Sequence, residues 1–499
     1  MKLTERKILD FYAFLKRKAQ ITYDKAKYKD CLQYIIAAAD TAFHFYLGYK
    51  DDDLEKVLFL LSGHLIIQDD TKERNDNDCV FYDSFSFDNG GLVQQYLCAL
   101  MSNGYRIIYI TERTGFCTNR SDIKDQIEKY GKAKIIEIPK ELDYWEKAQF
   151  VYDKIIASKA KRLFIHTMPH AAYACTAFYA LPSSIRKYKI NLTDHTFWLG
   201  VGFIDYSFEF RQFGMVLSER ERGVPQHKQL CLPYYPIIND APFEGFPSQA
   251  EGKVILFSGG HFYKIFDKED TFFKISKAIL DACPEVIMLF AGTGQISALN
   301  EKLEAYKIKD RFIPIGQRKD IAEVFSHSDI YMNTYPIGGG MMLLYAAQLG
   351  LPIICYRSKT TAGAEDIVCQ KQFYTISDDD IPSIVQKVKH LVSDINYRND
   401  YSTNIKNCTI SREVFNKLFE EYLNTGVNII KYDGEVDYVR HTKDINDKIA
   451  YDNINKQYQR SIVKVLGIKS LWECPIFIID GLISVIRDGR LVKMIKNNF

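Results

Sequence analysis

The sequence predicts an α/β protein built from two Rossmann-like, doubly wound domains that face a cleft, with helical additions at both ends. The first observation is length, because 499 residues exceed what one hydrophobic core usually organises. The second is an alternation of short apolar runs with helical segments, which is typical of parallel sheets covered on both faces. The third is a break in this alternation at the proline-rich stretch 232–236, where we place the domain boundary.

Residues 1–77 are expected to form an N-terminal helical extension. Ile8, Phe11, Phe14 and Leu15 have the spacing of one apolar helix face. The polar run at residues 69–78 is predicted to be a linker that ends this extension.

The first Rossmann-like domain is expected within residues 78–245 and the second within residues 250–395. The predicted strands of the first domain are 79–82, 106–110, 134–138, 162–166 and 188–192. Those of the second domain are 254–257, 286–290, 311–315, 329–333 and 352–356. Residues 396–499 are expected to be closing helices, part of which packs back on the first domain.

Composition excludes several classes of protein. The formal net charge of +2, with 26% charged residues, gives no indication of a nucleic-acid partner. The eleven cysteines are scattered without a C-x-x-C pair or zinc-ligand spacing, which is typical of reduced, buried thiols. The N-terminus does not resemble a signal peptide, and no apolar run approaches the roughly 18 residues of a spanning helix. We therefore expect a cytoplasmic protein.

Glycine-rich loops follow three predicted strands of the second domain. They are Ser258-Gly259-Gly260-His261, Gly292-Thr293-Gly294 and Gly338-Gly339-Gly340. Ligands of open parallel sheets bind at the carboxyl ends of strands, where helix N-termini present free N–H groups to anions. The third loop opens a predicted helix at Met341 and could cradle a diphosphate, although a simple tight turn is the alternative.

The segment around this third loop resembles the donor-binding segment of GT-B glycosyltransferases. The resemblance lies in residues 329–340, which end in the three glycines, and in residues 346–354. It is greatest for the branch of O-linked N-acetylglucosamine transferases and covers roughly residues 253–357. It implies a nucleotide-sugar donor, usually UDP-linked, and transfer of a hexose to an acceptor hydroxyl without a cofactor. No convincing D-x-D motif is present, so no metal is expected.

On the donor side, the resemblance implies roles for several further residues. Gln317 and Arg318 follow the third strand and match the loop that edges the base or phosphates, and Lys264 is a similar candidate near the first loop. Arg318 or Lys319 could pair with the diphosphate, or the two could be a solvated surface pair. Many relatives have a carboxylate that grips the ribose where this chain has Tyr345. Glu365 could take that role, or serve as a helix N-terminal acid.

On the acceptor side, a general base is expected from the first domain. Two strand ends compete: one carries Asp194 and His195, and the preceding one carries His166 and His170. We rank His195 first, with Asp194 orienting it or acting as the base, and His170 next. A structural histidine is the alternative for each. The turn Asp88-Asn89-Gly90 is expected to approach donor and acceptor, or else to cap a helix.

The expected acceptor is a polysaccharide, a lipid-linked glycan or a protein side chain, with bacterial surface polysaccharide or glycan assembly favoured. Two alternatives remain: a nucleotide-sugar epimerase or hydrolase of the same fold, and a non-catalytic partner subunit of an active glycosyltransferase. The basic, apolar segment 482–496 could touch the inner face of a membrane, although docking on the protein itself is commoner.

Overall fold

The structure is a computed structural model. It describes residues 3–68, 73–85, 92–112, 122–191, 194, 196–238, 240–355, 367, 380–406, 408–430, 449, 452, 457–467, 469 and 473, with backbone only at 122, 170 and 457. The predicted fold class is confirmed, because two parallel sheets with helices on their faces are present, flanked by helices before and after.

The N-terminal extension forms a helical layer. Its helices are α1 (Glu5–Asp24), α2 (Tyr28–Phe45) and α3 (Asp52–Ser62). The Thr4 side chain caps α1, and the Asp51 carboxylate accepts from two N–H groups of α3. The apolar faces of these helices pack on one face of the first sheet. Val80 and Tyr82 of the sheet lie on that face.

The first sheet has seven parallel strands in the order β3-β2-β1-β4-β5-β6-β7. The strands are β1 (Asn75–Asp83), β2 (Arg106–Thr111), β3 (Ala133–Glu137), β4 (Ala160–His166), β5 (Arg186–Ile190), β6 (Tyr206–Glu209) and β7 (Gln229–Cys231). The helices are α4 (Leu92–Ser102), α5 (Asp122–Tyr130), α6 (Tyr144–Ser158), α7 (Ala172–Ala180) and α8 (Gln212–Leu217).

Two sequence predictions about this sheet are corrected. Residues 75–78 belong to β1 rather than to a linker, because Arg106 forms an ion pair with Asp78 that holds this polar end in the sheet. The strands β6 and β7 were not predicted, because they have only four and three residues.

Within the described residues, the second sheet has five parallel strands in the order β10-β9-β8-β11-β12. The strands are β8 (Val254–Gly259), β9 (Val286–Ala291), β10 (Phe312–Gly316), β11 (Ile330–Met332) and β12 (Ile353–Ile354). The helices are α9 (Thr271–Ala282), α10 (Ile296–Ala305), α11 (Ile321–Ser326) and α12 (Gly340–Leu349). Strand β9 is buried along its whole length, as expected for a strand covered on both faces.

The C-terminal helices are shared between the two sheets. They are α13 (Ile381–Ser393), α14 (Ile395–Lys406), α15 (Arg412–Thr425) and α16 (Gln457–Leu466). Helix α14 lies on the second domain, where Arg398 pairs with Asp329 at 3.1 Å. Helix α15 crosses to the first domain, and α16 packs on α2 of the helical layer. Among the described residues, no helix is both long and apolar enough to cross a membrane.

Phe419 is the central contact of α15 with the first sheet. Its buried ring lies 5.6 Å from that of Phe164 and 5.5 Å from that of Phe208, measured between ring centroids. We expect Phe419→Ala to lower the free energy of unfolding by about 3–5 kcal/mol, because it leaves a cavity under the sheet. Urea unfolding measures this. Val414→Ala, on an exposed position of the same helix, is the control, and equal effects of the two changes would contradict the assigned packing.

Candidate active site

The three glycine loops predicted from the sequence meet at the carboxyl ends of β8, β9 and β11. A Cβ atom on Gly292 would lie 1.9 Å from the carbonyl oxygen of Gly260, and a Cβ on Gly259 would lie 2.8 Å from the Met342 side chain of α12. Gly260 also has a φ of +147°, which side chains rarely adopt. Glycine is therefore required here, because the loops touch backbone to backbone.

Asn333 holds the third loop in place. Its carboxamide oxygen accepts from the N–H groups of Thr334 (3.0 Å) and Gly339 (2.9 Å), and the side chain is 3% exposed. The Thr334 hydroxyl donates to the carbonyl of Ile337 at 2.6 Å. The loop is thus fixed by its own strand end, and the first turn of α12 presents its N–H groups next to it.

Lys264 is the cation of this loop cluster. It lies in the short 3₁₀ helix Phe262–Ile265 after the first glycine loop, and its backbone carbonyl accepts from the N–H of Ile337. A Cβ on Gly260 would be 3.3 Å from its Cδ atom. Burial lowers the pKa of Lys264, and its ammonium has no hydrogen-bond or ion-pair partner among the described residues. A half-buried ammonium with no partner in the described part of the chain, on a segment bonded to the third loop, favours an anionic ligand.

Two other donor-side candidates lie next to these loops, Gln317 by the second loop and Met341 directly after the third. Gln317 is exposed just after β10, whose last residue, Gly316, accepts from the N–H of Gly292 at 2.8 Å. Met341 is half-buried in the first turn of α12. Both residues border the loop cluster.

Arg318 is instead engaged inside the protein. Its guanidinium forms a bidentate pair with Asp320 (2.7 and 2.5 Å) and donates to the carbonyl of Gly245 at 2.8 Å. Its side chain is 6% exposed. These contacts tie the interdomain segment to the second domain and leave this cation little freedom to turn toward a ligand.

Tyr345, at the position where the sequence resemblance implies a carboxylate, is bonded to the interdomain segment. Its hydroxyl donates to the carbonyl of Ile237 in the interdomain segment at 2.6 Å, and its ring stacks on Phe325. Burial raises the pKa of Tyr345 to about 12, so the hydroxyl remains a donor at neutral pH.

In the first domain, Asp194 lies in a buried polar network. Its carboxylate pairs with Arg211 at 2.5 Å and accepts from Asn191 at 3.3 Å, and the residue is 1% exposed. Asn191 also donates to Glu209, whose pKa burial raises to about 7. The carboxylate of Asp194 is therefore committed to holding the loop after β5.

Several sequence-predicted site residues are outside the described part of the chain. They are His195, Glu365, Asp88, Asn89 and Gly90. For His170, the backbone lies in the turn Pro169–Ala171, and its side chain is outside the description as well. Their roles stay predictions.

Sequence reasoning missed a buried chain of three side chains at the carboxyl ends of β1 and β4. The Asp83 carboxylate accepts from the Nδ1 atom of His166 at 3.0 Å and from the hydroxyl of Tyr109 at 2.5 Å. The Nε2 atom of His166 is buried without a hydrogen-bond partner among the described residues, and the Phe85 ring stacks on the imidazole. Nδ1 thus carries the proton, and the lone pair of Nε2 is available.

A signal for this arrangement was present in the sequence. Asp83 follows the first predicted strand and His166 ends the fourth, and the two residues are paired in register. Because the first and fourth strands of a Rossmann-like sheet are neighbours, these strand ends are expected to meet. Among the described residues, no cluster of three or more histidine, cysteine, aspartate or glutamate side chains is suited to a metal ion.

The comparisons with known proteins agree with this architecture. Residues 252–394 match the family described as glycosyl transferases group 1. The fold is similar to Anabaena HepE, solved with UDP and glucose (TM-score 0.52, 12% identity, 70% of this chain and 99% of that one). It is also similar to a Thermobaculum terrenum O-GlcNAc transferase (TM-score 0.51, 13% identity, 83% and 82%).

A glycosyltransferase from Rickettsia africae is similar as well (TM-score 0.50, 10% identity, 79% of this chain and 100% of that one). No curated protein matches this chain in sequence. The fold is that of GT-B glycosyltransferases, and the second domain matches a glycosyltransferase family. The GT-B fold implied by the sequence resemblance is therefore confirmed, and residues 252–394 of the second domain match a glycosyltransferase family.

The contact of Gly292 with Gly260 generates a prediction about stability. We expect Gly292→Ala to destabilise the protein by about 1–3 kcal/mol, because the added methyl overlaps a backbone carbonyl and the loops must separate. The melting temperature measures this. The control is Gly63→Ala, where the φ is −68° and the added atom would make an ordinary 3.5 Å contact. A melting temperature like that of the control would show that the loops do not touch.

Proposed function

We propose that this protein transfers a hexose from a UDP-linked donor to an acceptor hydroxyl in bacterial surface polysaccharide or glycan assembly. The observation that supports this most is the convergence of three glycine loops with Lys264 inside the domain that matches a glycosyltransferase family. The UDP complexes of the similar HepE structures favour a UDP-linked donor.

The donor diphosphate is assigned to the third loop and the first turn of α12. The N–H groups at Gly340 and Met341 and the helix dipole would face its oxygens. Lys264 would supply the full positive charge, which is needed when the bond to the sugar breaks and negative charge builds on the leaving UDP. Donor binding therefore depends on backbone placed by glycines and on one ammonium.

The acceptor proton is assigned to Nε2 of His166. In the transfer, the acceptor oxygen bonds to the anomeric carbon, the bond from that carbon to the diphosphate breaks, and the acceptor proton moves to Nε2. Asp83 fixes the tautomer and stabilises the imidazolium that forms. The Phe85 ring covers the imidazole, so it must turn aside for a hydroxyl to reach the nitrogen. His195 and His170 remain the other candidates from the sequence.

The acceptor class stays a proposal from the sequence, as do the cytoplasmic location and peripheral contact with the membrane. The epimerase or hydrolase alternative predicts turnover of the donor alone. The partner-subunit alternative predicts no turnover with any donor. Product analysis with and without candidate glycan acceptors separates the three functions.

Lys264 provides the test of donor class. We expect UDP and one UDP-sugar to raise the melting temperature of the wild-type protein, whereas GDP and CMP do not, because a specific ligand stabilises the native state by mass action. Lys264→Ala should weaken UDP binding at least tenfold, since it removes a charge-assisted contact worth about 1.5–3 kcal/mol. Titration calorimetry measures the affinity.

A matched control and a pH series sharpen this test. Lys277→Ala removes an exposed lysine that pairs with Asp281 on α9 and should leave UDP affinity unchanged. Because burial lowers the pKa of Lys264, the ammonium loses its proton at a lower pH than an ordinary lysine does. Wild-type affinity should therefore fall as the pH rises toward that lowered pKa, and Lys264→Ala should lack this fall. Tight binding to Lys264→Ala would refute the assignment.

His166 provides the test of the chemical step. His166→Gln should reduce kcat about 10²–10⁴-fold with UDP affinity within twofold of wild type, because a general base contributes that much to the rate. Asp83→Asn should reduce kcat by a smaller factor than His166→Gln does. It replaces His166→Gln in this test if that variant does not fold.

His64→Gln is the control for the base assignment, since this exposed imidazole stacks on Tyr28 in the helical layer. Initial rates at saturating donor and acceptor give kcat for each variant. If kcat of His166→Gln equals that of His64→Gln, the base is another residue, with His195 next to be tested.

A further inference from the structure

The segment that joins the two domains is held by side chains from both of them. On the first-domain side, the hydroxyl of Tyr234 donates to the carbonyl of Asn191 at 2.8 Å. The N–H of Tyr235 donates to the carboxamide of Gln95 at 3.0 Å. Residues 234 and 235 are therefore fixed to the first domain.

From residue 237 onward, the same segment is fixed to the second domain. Tyr345 donates to the carbonyl of Ile237 at 2.6 Å, and Asp320 accepts from the N–H of Glu244 at 2.8 Å. The ring of Phe243 stacks on that of His327 at 3.9 Å between centroids. The attachment changes from the first domain to the second between residues 235 and 237, so a rotation of one domain against the other would be taken up by backbone torsions around Pro236.

Among the second-domain side chains named above, Tyr345 binds the segment closest to Pro236, and it belongs to α12. Gly340, the first residue of α12, is five positions earlier on the same helix. A helix of this length moves as a rigid rod, so a shift of its N-terminus also displaces the Tyr345 hydroxyl. Ile237 is therefore bonded directly to the helix whose first turn is assigned to the donor diphosphate.

We propose that Tyr345 is a positioning residue that links occupation of the donor loop to the angle between the two domains. This inference rests on the proposed function, because it takes the ligand of α12 to be a nucleoside diphosphate. A single neutral hydrogen bond contributes about 0.5–1.5 kcal/mol. This corresponds to a several-fold change in the ratio of two arrangements of the domains, one that keeps the bond and one that breaks it. Tyr345→Phe keeps the ring stacked on Phe325 and removes only this bond.

Hydrogen exchange measured by mass spectrometry, with and without UDP, tests the linkage in the full chain. In the wild-type protein, we expect UDP to slow exchange both in residues 338–349 and in residues 233–247. In Tyr345→Phe, protection of 338–349 should persist and protection of 233–247 should be lost. With a UDP-sugar donor, kcat should fall about fivefold while UDP affinity stays within twofold.

Tyr401→Phe is the matched control, because the Tyr401 hydroxyl also donates to a backbone carbonyl of the second domain, that of Ile353 at 3.2 Å. In Tyr401→Phe, UDP should slow hydrogen exchange in both 338–349 and 233–247, as it does in the wild-type protein. Wild-type protection of 233–247 in Tyr345→Phe would overturn the inference, as would a lowered melting temperature with unchanged exchange and kcat. If UDP protects neither region of the wild-type protein, the proposed donor site fails and the inference fails with it.

Discussion

The candidate site depends on one steric constraint, which is the contact between the backbones of the first two glycine loops. The position that a Cβ of Gly292 would occupy lies 1.9 Å from a carbonyl oxygen of the first loop. This contact lies just beyond the paired ends of β8 and β9, and the Met342 side chain of α12 packs near the same loop, at Gly259. Because the contact between the first two loops is made by backbone atoms, these loops can approach a diphosphate closely.

Several buried cations of the protein are held by internal partners, whereas Lys264 has none among the residues that the structure describes. Arg318 is bound to Asp320 and to a backbone carbonyl, and Arg211 is bound to Asp194. Arg222, fully buried, donates to backbone carbonyls and lies 3.9 Å from the centre of the Trp198 ring. Buried charges are stable in a protein when they are paired in this way. Lys264 departs from the pattern among the described residues, which is why we assign it to a ligand rather than to the fold.

Sequence reasoning predicted the two sheets, the three glycine loops and the class of protein. It succeeded because strands covered on both faces are continuous apolar runs, and because a glycine loop after a strand has a direct steric meaning. The contacts of individual side chains could not be predicted in the same way, because they depend on partners distant in sequence. The sequence does not show that the carbonyl of Gly245 accepts from Arg318, 73 residues away, or that Asp83 pairs with His166, 83 residues away.

The donor side and the acceptor side of the proposed site are built differently, so their relative position depends on the segments that connect the two domains. The donor side is rigid backbone at three strand ends, whereas the acceptor side is a chain of side chains, Tyr109, Asp83 and His166, buried under Phe85. The chain passes between the two domains at Pro236 and again between α14 and α15. Reaction requires the anomeric carbon and the acceptor oxygen to approach within about 3–3.5 Å. The geometry of the connecting segments, and of the side chains that hold them, therefore sets how often the two halves meet productively.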